Sequence, residues 1–336
     1  MKLIIQIPCF NEALSLPATI RDIPKSIQGI DEIKILVIDD GSIDSTSQVA
    51  IKEGVDFITR SPYNRGLAAS FNLGIETSLS LGADIIVTTD GDNQYPGKYI
   101  QRLVKPILEN NADIVIGVRD FKRIKEFSKL KVFFQRFGSK CISYISGIKI
   151  DDATSGFRAF SRSAAMRQIV LSKFTYTLET IIQSGKMGWN IKSVPITTNP
   201  PLRKSRLFKS NFQYIFKSFW DIILVSTEVS PLRTYFSIGT ISNFIAISLF
   251  IRFFILYFQA GGDFGSQNGY VQSIIIASVH IVFGSTCYLF ALLADQIKSN
   301  RFLLQQIYTY NRSILFNEKG NIKRNISLTY SKTDPL

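Results

Sequence analysis

Two apolar runs, Tyr235 to Phe258 and Val271 to Ala294, constrain this chain more than any other feature. A helix rises 1.5 Å per residue and a hydrocarbon core is about 30 Å thick, so about 20 apolar residues are needed to cross it, and both runs are long enough. They divide the chain into a long N-terminal part, two transmembrane helices (233–258 and 271–294) and a tail (295–336). The intervening loop, Gln259 to Tyr270, holds Asp263 and no lysine or arginine, whereas Arg233 precedes the pair and Lys298 and Arg301 follow it. The positive-inside bias therefore predicts that both flanks are cytoplasmic, in a multi-pass protein of the cell membrane. Arg252 is the one charge within the runs and sits where its long side chain can snorkel to the far interface.

The first 120 residues read differently. Short β-branched runs, Leu3–Ile7, Ile33–Ile38, Phe57–Thr59, Ile85–Thr88 and Ile114–Ile116, alternate with helix candidates starting near Leu14, Ser45, Gly66 and Pro96. This βαβα pattern predicts an α/β domain with a mostly parallel sheet. Ligands bind beyond the carboxyl ends of strands in such sheets. Three polar motifs, Asn11-Glu12, Asp39-Asp40-Gly41-Ser42 and Asp90-Gly91-Asp92, each follow a strand and should gather on one rim. The N-terminal run is too short for a signal-peptide core and reads as the first strand.

Composition excludes several chemistries. The single histidine, His280, lies in an apolar run, which removes Ser-His-Asp triads and multi-histidine metal sites. Cys9, Cys141 and Cys287 are odd in number and far apart, and read as reduced, inert thiols. A metal must then sit on oxygen, and two carboxylates separated by one glycine can hold a hard divalent cation against a diphosphate. Asp39 and Asp40 could accept hydrogen bonds from a base and ribose, with Ser42 or Asp44 capping the next helix. A nicotinamide site is excluded because no G-x-G-x-x-G turn follows the first strand.

In a chain with a net charge of +13, two stretches, about 123–147 and 205–230, interleave lysine and arginine with aromatic residues. Both read as amphipathic helices that lie in a bilayer interface, which accounts for the charge without nucleic acid.

The motifs Pro8-Cys9-Phe10-Asn11-Glu12, Val37-Ile38-Asp39-Asp40-Gly41-Ser42, Asn64-Arg65-Gly66, Asp90-Gly91-Asp92 and Asp152-Ala153-Thr154-Ser155-Gly156-Phe157-Arg158 together resemble family 2 glycosyltransferases. The likeness is greatest to the dolichyl-phosphate mannose synthase and polyisoprenyl-phosphate glycosyltransferase branch. It covers about residues 1 to 204 and implies a GT-A (Rossmann-like) catalytic domain that inverts the anomeric carbon. It also implies a nucleotide-diphosphate sugar held by Pro8, Asn11, Glu12, Asp39, Asp40, Asn64, Gly66, Asp90 and Gly91. Mg2+ or Mn2+ would be ligated by Asp90, Asp92 and Gln94. The implied acceptor is a membrane polyisoprenyl phosphate bound by Arg119, Lys131, Ser205 and Arg206, with Asp152, Arg119 and Arg158 as catalytic residues.

Two departures bear on the acceptor. A Gly-x-Ser-Lys-Leu element of relatives is replaced by Lys204-Ser205-Arg206-Leu207, and the Gln-x-x-Arg-Trp motif of processive synthases is absent, so a single transfer giving a lipid-linked monosaccharide is expected. A lipid or glycan hydroxyl is the alternative acceptor and would require Asp152 to act as a base. Assembly into a homo-oligomer is left open.

Overall fold

The computed structural model describes residues 1–120, 136, 138–140, 142–143, 146–170, 176–200, 227, 230–259, 270–317 and 328–332. Most of the expected interfacial stretches, most of the loop between the apolar runs, and Lys131, Ser205 and Arg206 lie outside the described residues. The chain forms two compact units, Met1–Ile222 with Ile307–Leu336, and Ile223–Gln306.

An eight-stranded sheet organises the first unit. Its strands are β1 (Lys2–Cys9), β2 (Glu32–Asp39), β3 (Phe57–Arg60), β4 (Ile85–Thr88), β5 (Ile114–Arg119), β6 (Arg158–Ser161), β7 (Ile191–Ile196) and β8 (Leu328–Ser331), in the order β7-β5-β6-β4-β1-β2-β3-β8. The pairs β1–β2, β1–β4, β2–β3 and β5–β7 are parallel. The helices are α1 (Leu16–Asp22), α2 (Thr46–Lys52), α3 (Leu67–Ser80), α4 (Ile100–Leu108), α5 (Arg162–Arg167) and α6 (Tyr176–Lys186). A strand covered on both faces is nearly continuously apolar, and β1 is buried from Leu3 to Cys9, its one polar side chain, Gln6, donating to Thr88 Oγ1 at 2.7 Å. Leu3, Ile5, Ile7, Val37, Val87 and Val115 meet the side chains of α1 and α4 in one core, which anchors the strand ends.

β6 enters from the opposite direction, pairing antiparallel with both β4 and β5, so Arg158 stands opposite Thr88 and Ile116. Its preceding segment, 152–157, is thereby delivered to the same rim as the carboxyl ends of β1, β2, β3, β4 and β5. The tail, patternless in the sequence, also joins the sheet: β8 pairs antiparallel with the edge strand β3.

The second unit contains α7 (Pro231–Gln259) and most of α8 (Tyr270–Asn317), both long and apolar enough to cross a membrane. Where the sequence ends the second span at Ala294 and begins the tail, α8 runs on without a break to Asn317. Ser242 on α7 bonds to His280 on α8 through Nδ1 at 2.9 Å and donates to its carbonyl at 3.0 Å.

Candidate active site

The site begins where β1 and β2 end. Asn11 sits in the left-handed region (φ 56°), with its N–H donating to Ser42 Oγ at 2.9 Å and its Oδ1 accepting from the Ile43 N–H at 2.9 Å. Two strand-end loops are thus laced together. Asp39 is 1% exposed and accepts from the Ser42 N–H (2.8 Å) and the Ser47 hydroxyl, while Arg60 lies 3.7 Å from it. Asp40 accepts from the N–H groups of Arg65 (2.9 Å) and Gly66 (2.8 Å), drawing the start of α3 over the rim. Gly66 also donates to Asn64 Oδ1 at 3.0 Å. Gly41, at φ 73°, packs so tightly on the Tyr63 backbone that a Cβ would lie 2.5 Å from a carbonyl carbon. Both aspartates therefore shape this loop, with Asp39 turned wholly into the protein. Asp44 caps α2 by accepting from the Thr46 N–H at 3.0 Å, one position ahead of Ser45, the residue preceding the first helical turn. Pro8 and Glu12 are buried beneath the same loops, and Ser15 Oγ donates to Glu12 Oε2 at 2.7 Å.

Next to this loop lies Asp90-Gly91-Asp92. Gly91 packs against the side chains of Cys9 and Glu12, and Asp92 Oδ1 accepts from the Gln94 N–H at 3.1 Å. Partial removal from water, with repulsion from Asp92, pushes the Asp90 pKa up to about 7; Arg119 opposes the shift and Glu12 adds to it. Two carboxylates held close enough to repel each other form a hard-oxygen donor pair, and a divalent cation would relieve that repulsion. The residues present fit the implied metal. The loop is clamped from β7: Asn199 donates its N–H to the Gln94 carbonyl and its Nδ2 to the Asn93 carbonyl, both at 2.9 Å.

The third part joins β5 to the segment before β6. Arg119 grips Asp152 through Nε–Oδ2 (2.7 Å) and Nη2–Oδ1 (3.0 Å), and its Nη2 also donates to Thr154 Oγ1 at 2.8 Å. The Asp152 side chain is 0% exposed and that of Arg119 15%, so a buried carboxylate supports a guanidinium that still reaches the surface. Burial alone would raise the Asp152 pKa, but Arg119 and Thr154 hold it below the usual carboxylate range. Arg158 is not the partner of Asp152. It is 0% exposed and donates to the carbonyls of Ser155 (2.8 Å), Ala153 (2.9 Å) and Thr177 (2.8 Å) and to the Thr180 hydroxyl, moulding the 153–156 turn from beneath. Desolvation lowers its pKa to about 10. Gly156 brings this turn against the Asp90 carboxylate: a Cβ there would lie 3.2 Å from Asp90 Oδ1 and 3.0 Å from the Tyr176 hydroxyl. The stacked rings of Tyr95 and Phe157, 5.1 Å apart, close the junction, and the Gly156 N–H donates to the Tyr95 hydroxyl at 3.3 Å.

Most of this constellation lies within residues 4–168, which match the model of glycosyl transferase family 2. An uncharacterized protein of Methanocaldococcus jannaschii is 35% identical over 59% of this chain and 81% of its own length. The chain belongs to glycosyltransferase family 2. Two further relatives extend the comparison. The UDP-N-acetylglucosamine–dolichyl-phosphate N-acetylglucosaminyltransferase of Methanococcus voltae is 28% identical over 57% of this chain and 83% of its own. Glycosyltransferase AglJ of Haloferax volcanii is 25% identical over 87% of this chain and 92% of its own. A mycobacterial protein of known structure shares the fold, with a TM-score of 0.51 at 16% identity over 66% of this chain and 74% of that one. This glycosyltransferase thus has the α/β GT-A architecture expected from its sequence, followed by two helices long and apolar enough to span a membrane.

Thr154, Tyr95, Asn199 and Arg60 escaped the sequence reading. Thr154 lies inside the Asp152–Arg158 motif, and Tyr95 stands three residues after Asp92. Asn199 has only the turn-forming Asn-Pro pair to mark it.

Proposed function

We propose that this chain transfers a sugar, with inversion, from a nucleotide-diphosphate sugar to a membrane polyisoprenyl phosphate, in a metal-dependent reaction at the cytoplasmic membrane face. The observation that carries the reading is the Arg119–Asp152–Thr154 group beside Asp90: an anion-seeking guanidinium, set on a buried carboxylate, lies next to a carboxylate pair suited to a diphosphate-bound metal. The relatives named for transfer to dolichyl or undecaprenyl phosphate support the same acceptor class.

In this reading the donor nucleotide lies along the Asn11–Glu12 and Asp40–Gly66 loops, with its diphosphate toward Asp90 and Asp92. Gln94 supplies a third oxygen or a backbone contact for the metal. When bound, the cation neutralises charge on the departing nucleoside diphosphate. Arg119 binds the acceptor phosphate, and Asp152 keeps the guanidinium oriented rather than taking a proton. One phosphate oxygen forms the bond to the anomeric carbon as the bond from that carbon to the diphosphate breaks. A phosphomonoester has its second pKa near 6 and is largely dianionic at pH 7, so it needs no strong base. A carboxylate whose oxygens are engaged by Arg119 and whose pKa is depressed is a poor base, and this favours phosphate over hydroxyl as the nucleophile.

Purified protein incubated with a panel of radiolabelled nucleotide-sugars, Mg2+ and a polyprenyl phosphate tests this. A labelled lipid cleaved by mild acid is the expected product. An acid-stable glycolipid formed equally well from a polyprenol would replace the phosphate acceptor with a hydroxyl.

A further inference from the structure

The donor-side loop depends on β3. The Ser61 N–H donates to the Asp39 carbonyl at 2.8 Å, and Arg60, the last residue of β3, donates from Nη2 to the Ser42 carbonyl at 2.8 Å. Ser42 in turn receives the Asn11 N–H, so the position of Arg60 is transmitted to both loops along which the nucleotide is proposed to lie. Yet β3 has only four residues, and a strand this short at a sheet edge is held on one side alone.

In this chain it is not left at the edge. The C-terminal strand β8 pairs with it across Phe57↔Ser331, Ile58↔Tyr330 and Thr59↔Leu328, and the Lys332 N–H donates to the Asp56 carbonyl at 3.0 Å. Tyr330 packs against the hydrophobic core and Ser331 is buried. The end of α8 is fixed to the same unit by two arginines acting in opposite directions. Arg312 is 5% exposed and donates to the Gln168 carbonyl at 2.9 Å, just beyond α5, while Arg162 of α5 donates to the Phe316 carbonyl at 2.9 Å. The segment after the second apolar run is therefore held at two points by the catalytic unit, and one of them is the strand that carries Arg60.

We propose that β8 is a positioning element of the donor pocket: by completing the sheet beside β3 it fixes Arg60, and through Arg60 the Asp39–Ser42 loop that receives the nucleotide. The inference rests on the reading that the donor nucleotide occupies this loop.

The test measures binding of UDP and GDP to the full-length protein by calorimetry with Mg2+ present, together with steady-state kinetics. Tyr330→Pro breaks the β8 ladder, Tyr330→Ala removes only its packing, and Arg60→Ala cuts the link to Ser42. Loss of one hydrogen bond from a charged group corresponds to about tenfold in affinity. Tyr330→Pro and Arg60→Ala should each weaken nucleotide binding by about that factor, with Tyr330→Ala between them and the unsubstituted chain. For the Tyr330 variants, kcat at saturating donor and the acceptor KM should stay within about twofold, a separation that general loss of folded protein would not give. The double variant Tyr330→Pro/Arg60→Ala should bind no more weakly than Arg60→Ala, because the strand acts through that arginine. Unchanged nucleotide affinity in Tyr330→Pro, a lowered kcat with unchanged affinity, or multiplicative effects in the double variant would overturn the proposal. Failure of the unsubstituted chain to bind either nucleotide would overturn the donor-pocket reading itself, and the inference with it.

Discussion

Removing Arg119 should do more damage than removing it together with its partner. Arg119→Ala deletes the two hydrogen bonds to Asp152 and the one to Thr154, and it strands a carboxylate whose side chain is 0% exposed. Breaking a buried ion pair from one side costs about 3–5 kcal/mol, most of it the penalty of the unpaired charge. In a unit of this size each kcal/mol moves the unfolding midpoint by about 2–4 °C, so a fall of about 6–20 °C is expected. Arg119→Ala/Asp152→Ala removes the orphaned charge and should recover part of that loss. Neither variant should capture the acceptor phosphate, so kcat/KM for the lipid should drop by at least about tenfold in both, while nucleotide affinity falls far less. Thermal unfolding followed by intrinsic fluorescence in detergent, with lipid titrations below the transition, reads both effects. The pair also sets a sign for acid. Because the folded-state pKa of Asp152 is depressed, its contribution to stability is present above the ordinary carboxylate pKa and is lost as pH falls through the lower folded value. A double variant less stable than Arg119→Ala, or normal lipid turnover in either, would refute the buried-pair account.

Three further outcomes follow from the geometry. Asp90 has its pKa pushed up to about 7 without metal, so protons compete with the cation near and below that pH, and the apparent Mg2+ or Mn2+ dissociation constant should rise by about fivefold from pH 7 to pH 6 and level off above about pH 8; a flat profile, or full transfer by Asp92→Asn in chelator, would remove these carboxylates from metal binding. Gly156→Ala places a methyl group against Asp90 and the Tyr176 hydroxyl, so these side chains must shift by a few tenths of an ångström, and it should slow transfer while leaving the far-ultraviolet circular dichroism unchanged; wild-type turnover would show that the turn is not pressed against Asp90 during catalysis. For topology, a cysteine at Ser266, between the two apolar runs, should react with an impermeant thiol reagent from outside intact cells, while one at the exposed Gln28 should react only after permeabilisation, each judged against the unsubstituted chain; the reverse pattern would put the catalytic unit outside.

Several strands were legible because burial on both faces favours apolar runs: β1, β4 and β5 are largely such runs, and β2 is buried from Leu36 onward. The strands without that signature escaped: β6 is four residues beginning with a buried arginine, β7 contains Pro195 and is mostly part-exposed, and β8 is the short polar-looking Leu-Thr-Tyr-Ser. The motif positions were legible too, since each follows a strand, but the direction of each side chain was not. Asp39 and Asp40 look alike in sequence as two acceptors for a nucleotide, yet one is enclosed by Ser42 and Ser47 and the other holds the turn into α3. The choice depends on which backbone N–H groups the neighbouring loop presents, a tertiary fact with no local signal.

The same reasoning explains why Asp152 and Arg158, neighbours in one motif and of opposite charge, do not pair. β6 runs antiparallel, which carries Arg158 down between β4 and β5 and leaves Asp152 at the rim, where the end of β5 supplies Arg119. Arg158 then spends its donors on carbonyls of its own turn, and that turn presses Gly156 onto Asp90. One reversed strand therefore brings the Arg119 guanidinium and the Asp90 carboxylate to the same rim. In the proposed reaction that is what donor and acceptor require, because the nucleophilic phosphate and the departing diphosphate must flank one anomeric carbon while their mutual repulsion is screened from both sides.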